Sequence, residues 1–141
     1  EGARIAALML HEQGEPPLLL DLVSAVSDVD HVVALFKRRG HWGAISRTRH
    51  AVLRYREPVY ESVHELVMSY FHEYFLNDGK KTLRNYAGPI NLLHMKDDRW
   101  KTAQKSNQYL VDWINAHPHF DIVDRKMIRG FRKADDIERA A

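Results

Sequence analysis

The chain has 141 residues, of which 45% are hydrophobic and 28% charged, and these proportions are typical of a single globular domain. Its formal net charge of only +2 gives no surplus of cations for nucleic-acid binding, and no apolar run approaches the roughly 20 residues that cross a bilayer. The sequence contains no cysteine, which excludes disulfides, thiolate metal ligands and a thiol nucleophile within these residues.

The first predicted element is a helix over residues 1–13, where alanines and other helix formers place an apolar stripe on one side. Gly14 suits the position after a helix, and Pro16 and Pro17 prevent its continuation. Because the sequence opens at Glu1 inside this helical pattern, we expect a fragment of a domain that begins upstream. No basic and apolar leader precedes the pattern, so we expect a cytoplasmic protein.

Strands are predicted next. Residues 18–23 and 31–36 are short apolar runs rich in β-forming residues, which indicates buried strands. A basic turn ending at Gly40, which is free to take a positive φ, leads to a returning strand over residues 41–46. Residues 51–55 alternate weakly and are interpreted as a third antiparallel strand.

Helices dominate the rest of the prediction. The clearest one starts at Pro58 and runs to residue 75, with apolar residues at helical spacing. Residues 81–86 are interpreted as a short edge strand. Ser106 is expected to cap a helix that ends near His117, and Asp124 to cap a last basic helix. The order predicts an α+β domain over the whole chain, with an N-terminal helix packed on an antiparallel sheet and flanking helices.

One block of residues carries a resemblance to a known family. His31 opens a buried strand, a hairpin follows, and Trp42 leads the return strand towards Ser46 and Thr48. This arrangement resembles the transglutaminase-like superfamily, in which His-Ala-Trp-Val-Glu-Val leads by a glycine turn to Trp-Val-Pro-Phe-Asp-Pro-Thr. A closer resemblance, to uncharacterised bacterial transglutaminase-like proteins, covers nearly the whole chain and includes residues 30–36, 50–58 and 68–75.

The resemblance implies a papain-like fold and thiol-dependent chemistry on a protein or peptide substrate, without a metal or an organic cofactor. His31 falls on the family's general-base histidine, and Ser46 stands at the position of its aspartate. Serine can orient an imidazole by a hydrogen bond but offers no negative charge. The family's cysteine would lie at the start of the first helix, just before Glu1. We therefore expect a fragment of an acyl transferase or an amide or peptide hydrolase.

A non-catalytic interpretation remains open for each residue of this motif. The missing cysteine and Ser46 both favour a non-catalytic binding or scaffolding module. His31 fits a core histidine on pattern alone, and Trp42 is expected to pack rather than react. Arg49 and His50 follow the motif, and either could line the cleft.

Metal and nucleic-acid binding are the remaining alternatives. His72 and Glu73 begin like a zinc-protease motif but lack the second histidine, and His117 and His119 lack obvious further ligands. The basic residues in 125–133 precede two aspartates, as on a solvated helix face. We therefore expect no metal site, and neither nucleic acid nor membrane as a partner.

Overall fold

The computed structural model describes residues 1–46 and 50–140, so the predicted match at Thr48 and the possible cleft residue Arg49 lie outside the described residues. Two sets of elements make up this part of the chain. The helices are α1 Gly2–Glu12, α2 Val63–Met68, α3 Gln108–Asn115, α4 Arg125–Arg129 and α5 Asp136–Ala140. The strands are β1 Leu18–Ser24, β2 His31–Arg38, β3 His41–Ile45, β4 Tyr55–Tyr60, β5 Leu83–Asn91 and β6 Phe120–Asp121.

The strands form one antiparallel sheet in the order β4-β3-β2-β1-β5-β6. The predicted α+β class, the N-terminal helix and the strands predicted over residues 18–23, 31–36 and 41–46 are confirmed. Leu22 of β1 lies opposite His31 of β2, and Ala34 of β2 lies opposite Ile45 of β3. Since residues directly opposite share a face, this register decides which side chains meet on each side of the sheet.

The two faces of the sheet bury separate apolar clusters. The face covered by α1, here the α1 face, is built from small alanines of the helix packed on Leu19, Ala34, Ala87, Ile90 and Trp100. Alanine side chains let the helix lie close to the sheet. The opposite face, here the α2 face, buries Leu20, Leu22, Val33, Leu35, Leu66, Val67, Tyr70 and Phe71. Among the described residues, no helix has the length and apolar character needed to cross a membrane.

The long helix predicted from Pro58 is wrong. Residues Tyr55–Tyr60 form β4, at the edge of the sheet, and Val59 is 62% exposed. An edge strand tolerates proline because one side of its hydrogen-bonding ladder is unpaired. The helix α2 begins later, where Ser62 Oγ accepts a hydrogen bond of 3.0 Å from Glu65 N. It is short, and a 3₁₀ turn at Phe71–Glu73 replaces its predicted continuation.

Two further strand predictions need correction. Residues Ala51–Leu53 form a 3₁₀ turn, and the predicted strand over 51–55 begins only at its last residue. The predicted edge strand over 81–86 is the first part of the nine-residue β5, which pairs with β1 on one side and β6 on the other. Gly88 and Pro89 have the composition of a turn, but they lie where the β1–β5 register shifts, and the strand continues past them.

Of the two helix caps predicted at Ser106 and Asp124, the structure has the one at Asp124. Asp124 Oδ1 accepts a hydrogen bond of 2.8 Å from Met127 N, which confirms it as the cap of α4. The prediction for Ser106 is wrong by one residue, because the N-cap of α3 is Asn107; Ser106 Oγ still accepts from Gln108 N at 3.1 Å and so satisfies an N–H group of the first turn.

Candidate functional site

His31 is the first residue of β2, and its side chain lies on the α2 face. Its partner in the register is Leu22, which belongs to the apolar cluster on that face. The imidazole ring makes edge contacts with His50, at 5.1 Å between ring centroids, and with Tyr74, at 5.8 Å. Sequence reasoning left open whether His50 lines the cleft, and the structure places it against His31.

The surroundings of His31 favour its neutral form. Burial lowers the pKa of His31, and the neighbouring His50 lowers it further, while Asp28 and Asp30 act in the opposite direction. A neutral imidazole can accept a proton at neutral pH, as a general base must. The electrostatics therefore fit the role expected for this residue.

The two carboxylates near His31 are occupied by other partners. Asp30 Oδ1 accepts hydrogen bonds from Ser24 N at 2.8 Å and from Ser24 Oγ at 3.1 Å. Asp28 accepts from Val29 N at 2.7 Å and from the Thr82 hydroxyl. Both acids thus hold the segment between β1 and β2 in place, and they act on the ring only through space.

Tyr74 fixes the same segment from the α2 face. Its hydroxyl donates a 2.7 Å hydrogen bond to the carbonyl oxygen of Val29, two residues before His31. Burial, with the nearby Asp28 and Asp30, raises the pKa of Tyr74 well above its ordinary value. The phenol therefore stays protonated and keeps this donor role at physiological pH.

A cavity of about 310 Å³ at the end of the sheet brings the predicted site residues together. It is bordered by Glu1, Gly2 and Ala3 at the start of α1, by His31, and by Ser46 just after β3. Ser46 follows Ile45, so the register continues to a position opposite Val33, on the same face as His31. The sequence prediction that these two residues share a site with the first helix is consistent with this geometry.

His31, Ser46 and the start of α1 border the same cavity, but His31 is not hydrogen-bonded to Ser46 within the described residues and lies on the opposite face of the sheet from α1. Within residues 1–46 and 50–140, no hydrogen bond links the side chains of His31 and Ser46. Ser46 is buried, and its backbone N–H donates to Arg54 O at 2.9 Å. The helix α1 packs on the face opposite His31, so the two meet only around the open end of the sheet. The orienting role expected for Ser46 stays a prediction.

The start of α1 is anchored by distant parts of the chain. The Glu1 carboxylate accepts from Arg4 and, at 3.0 Å, from Asn107 Nδ2, and these contacts lower its pKa to about 2. Arg4 is 5% exposed and donates through Nη1 to Trp100 O at 2.8 Å. Because Trp100 and Asn107 belong to the segment before α3, these contacts tie the helix start to that segment beside the cavity.

A second histidine pairs with an acid on the α1 face, which sequence reasoning missed. His119 Nε2 lies 3.0 Å from Oδ2 of Asp21, and its Nδ1 lies 2.7 Å from His117 O. Asp21 is 3% exposed, in the middle of β1. Burial raises the pKa of Asp21, and the hydrogen bond from His119 opposes that rise. The one available signal was an aspartate inside an apolar strand, which requires a partner.

The sheet register explains how His119 reaches Asp21. Asp21 lies opposite Ala87 of β5, and Phe120 of β6 lies opposite Tyr86, so His119 precedes β6 beside Ala87. Ala87 is fully buried and its methyl group leaves room for the imidazole to pass over β5. A carbonyl oxygen only accepts, so Nδ1 of His119 carries a hydrogen, and the contact with Asp21 holds a second proton on one partner or the other.

Trp42 and His117, two further residues considered in the sequence, make packing and helix-end contacts. Trp42 packs against the cluster of the α2 face, with Lys37 Nζ 5.0 Å from its ring centroid. In the part of the chain that the structure describes, no group of three or more histidine, cysteine, aspartate or glutamate side chains could hold a metal ion. His117 Nδ1 contacts Trp113 O at 2.8 Å, which closes α3.

No protein-family model matches the chain, and no curated protein matches it.

Proposed function

We propose that the chain is the larger part of a transglutaminase-like domain, in which His31 is the general base of a thiol-dependent acyl transferase or amide hydrolase. The observation that carries this proposal is the shared cavity, which His31 borders together with Ser46 and the first residues of α1. A helix start is a favourable place for a thiolate, because the helix dipole stabilises negative charge there. The nucleophile belongs, in this proposal, to a cysteine directly before Glu1.

In the proposed reaction, His31 transfers the protons and the cysteine before Glu1 is the nucleophile. The neutral imidazole of His31 takes the thiol proton, and the thiolate attacks the carbonyl carbon of a glutamine side chain or a peptide bond. The C–N bond breaks, His31 returns the proton to the leaving amine or ammonia, and a thioester remains. Water or a second amine then attacks the thioester and regenerates the thiol, with His31 again moving the proton. The substrate is a protein or peptide, and location in the cytoplasm belongs to the same proposal.

Activity of a longer protein tests this proposal. The reading frame upstream of Glu1 is sequenced first, and the extended protein is then assayed for ammonia release from a glutamine-containing peptide. We expect a cysteine within the preceding turn, and we expect His31→Ala to reduce turnover by roughly 100- to 10,000-fold, the range for loss of a general base. His94→Ala is the matched control, because His94 is exposed and does not border the cavity. Unchanged turnover in His31→Ala removes this residue from the mechanism.

The second candidate is a non-catalytic transglutaminase-like module that binds or scaffolds. The specific observations in its favour are the placement of His31 on the face opposite α1 and the absence of a His31–Ser46 hydrogen bond within the described residues. A residue other than cysteine in the turn before Glu1 would favour this module over the enzyme. Peptide binding that is indifferent to His31→Ala would then be the expected behaviour.

A further inference from the structure

A cavity of about 270 Å³ lies between the start of β5 and the segment that follows α4. Cationic side chains dominate its lining. They are Lys80, Lys81, Arg84, Arg132 and Lys133, and no acidic side chain lines it among the described residues. The formal net charge of the whole chain is only +2, so this concentration is local. Like charges gathered around one concave space repel each other unless an anion lies between them.

Hydrogen bonds join the turn before β5 to the segment after α4, on the two sides of this cavity. Ala134 N donates to Gly79 O at 2.9 Å, and Arg139 Nη1 donates to Asn77 O at 2.8 Å. Gly79 has φ +88°, and a Cβ built on it would lie 2.4 Å from Ala134 O, so only glycine permits this approach. The turn before β5 and the segment after α4 are therefore docked, and cations from both segments line the same cavity.

Arg84 supplies the cation at the inner end of the cavity. Its Nη1 donates to Lys81 O at 3.1 Å and to Leu83 O at 3.2 Å, which fixes the guanidinium in place. The group is half-buried, and burial lowers the pKa of Arg84. No carboxylate in the described part of the chain forms an ion pair with it. Its charge is therefore not balanced by a carboxylate in the described part of the chain, and an anion bound in the cavity would balance it.

The other cations differ in how far they are already neutralised. Arg132 forms an ion pair with Glu138 at 2.5 Å and lies 3.9 Å from Asp135. Lys80, Lys81 and Lys133 have no such pair within the described residues. Their charges and that of Arg84 exceed what one carboxylate can balance, whereas a phosphate dianion or a diphosphate matches them.

We infer that this cavity binds the phosphate group of a small phosphorylated molecule. A second cavity, of about 540 Å³, adjoins it and shares Arg84 and Ile128. That neighbour is also bordered by apolar Val123 and Met127, by Asp121 and Asp124, and by Arg125. Its acids offset its own cations, so it offers room for an uncharged organic part rather than a second phosphate. The two cavities together suit a ligand with one anionic end. This inference is independent of the thiol chemistry proposed above.

Calorimetric titration of the full chain with pyrophosphate tests the inference. We expect one pyrophosphate per chain, with an affinity that weakens as sodium chloride is added. The variant K80E/K133E should bind about tenfold or more weakly, because each lysine removed takes away a charge-assisted contact and each glutamate repels the anion. Both lysines are exposed, so we expect the variant to fold, and circular dichroism checks this.

A matched control separates a site from diffuse charge. K96E/K105E makes the same change of charge at two exposed lysines that do not line the cavity, and it should bind pyrophosphate as the parent chain does. Equal weakening in both double variants, or no binding by the parent chain, would overturn the inference.

The source of the phosphate is distinguished by a parallel titration with ADP. Tighter binding of ADP than of pyrophosphate indicates a nucleotide that also uses the adjoining cavity, while equal binding indicates a free diphosphate; both support the site. An affinity found only for RNA oligonucleotides, increasing with their length and retained in K80E/K133E, contradicts it.

Discussion

Two histidines beside adjacent residues of β1, His31 and His119, show how the partners of nearby carboxylates determine the contacts of an imidazole. His31 lies on the α2 face opposite Leu22, and His119 lies on the α1 face beside Asp21, the residue before Leu22. Both rings are partly buried. They differ in whether an acid hydrogen-bonds to the ring.

On the α1 face the acid is available, and on the α2 face it is not. Asp21 is buried inside a strand where its own backbone pairs with neighbouring strands, so its side chain turns to His119. Asp28 and Asp30 lie near His31, but they accept hydrogen bonds from Thr82 and Ser24. His119 is thereby tied to a buried acid, whereas no acid among the described residues forms a hydrogen bond with the His31 ring. The same residue type thus forms a hydrogen-bonded pair with a buried acid on one face and lies beside an apolar cluster on the other.

The largest loss of stability is expected from removing the contact between His119 and Asp21 on the α1 face. We expect His119→Ala to lower the free energy of unfolding at pH 7 by roughly 3 kcal/mol, near the lower end for a buried pair that loses one partner, because the ring is partly exposed. His119→Gln, which keeps a donor for Asp21, should lose less. Urea unfolding of the three proteins measures this.

His94→Ala serves as the control for that series, since His94 is exposed and should change stability by no more than about 0.5 kcal/mol. If His119→Ala is as stable as this control, then the contact with Asp21 contributes nothing and the contrast between the two histidines fails.

The strands near the two histidines could be predicted from the sequence, but their partners could not. Apolar runs bounded by turn residues defined β1, β2 and β3, and the resemblance singled out His31 and Ser46. The pairing of Asp21 with His119 joins residues 98 positions apart, and only the register through Ala87 brings them together. No local pattern contains that register.

The region from residue 55 to residue 75 was misinterpreted for a related reason. Its apolar residues do recur at helical spacing, and Leu66, Val67, Tyr70, Phe71 and Tyr74 are indeed buried. The periodicity reflects one face towards the core, which a short helix and a 3₁₀ turn also provide. The better signal was Ser62 followed by Glu65, a pair typical of a helix start, which places the beginning after Pro58 rather than at it.

A smaller effect is expected from the pH dependence that His31 adds to stability. The pKa of His31 is lowered in the folded chain, so the unfolded chain binds the proton more readily. The contribution of this residue is therefore fully present above the ordinary histidine pKa of about 6.5 and is lost as the pH falls through the folded value. We expect His31→Gln to lose less stability than the parent chain between pH 7.5 and pH 5, by urea unfolding at each pH. Identical losses would show that His31 titrates alike in the folded and unfolded chain.

The smallest effects should appear in the titration of His31 itself, followed by NMR of its ring protons. His50→Gln removes the positive charge that lowers the pKa of His31, so the pKa should rise. Asp28→Asn removes a negative charge that raises it, so the pKa should fall. The amide oxygen can still accept from Val29 N, and the amide nitrogen can donate to the Thr82 hydroxyl. Shifts of opposite sign would show that through-space charges tune a ring that no acid holds. A pKa that moves in neither variant would mean that burial alone sets it, and His50 would then be only a packing neighbour of the site.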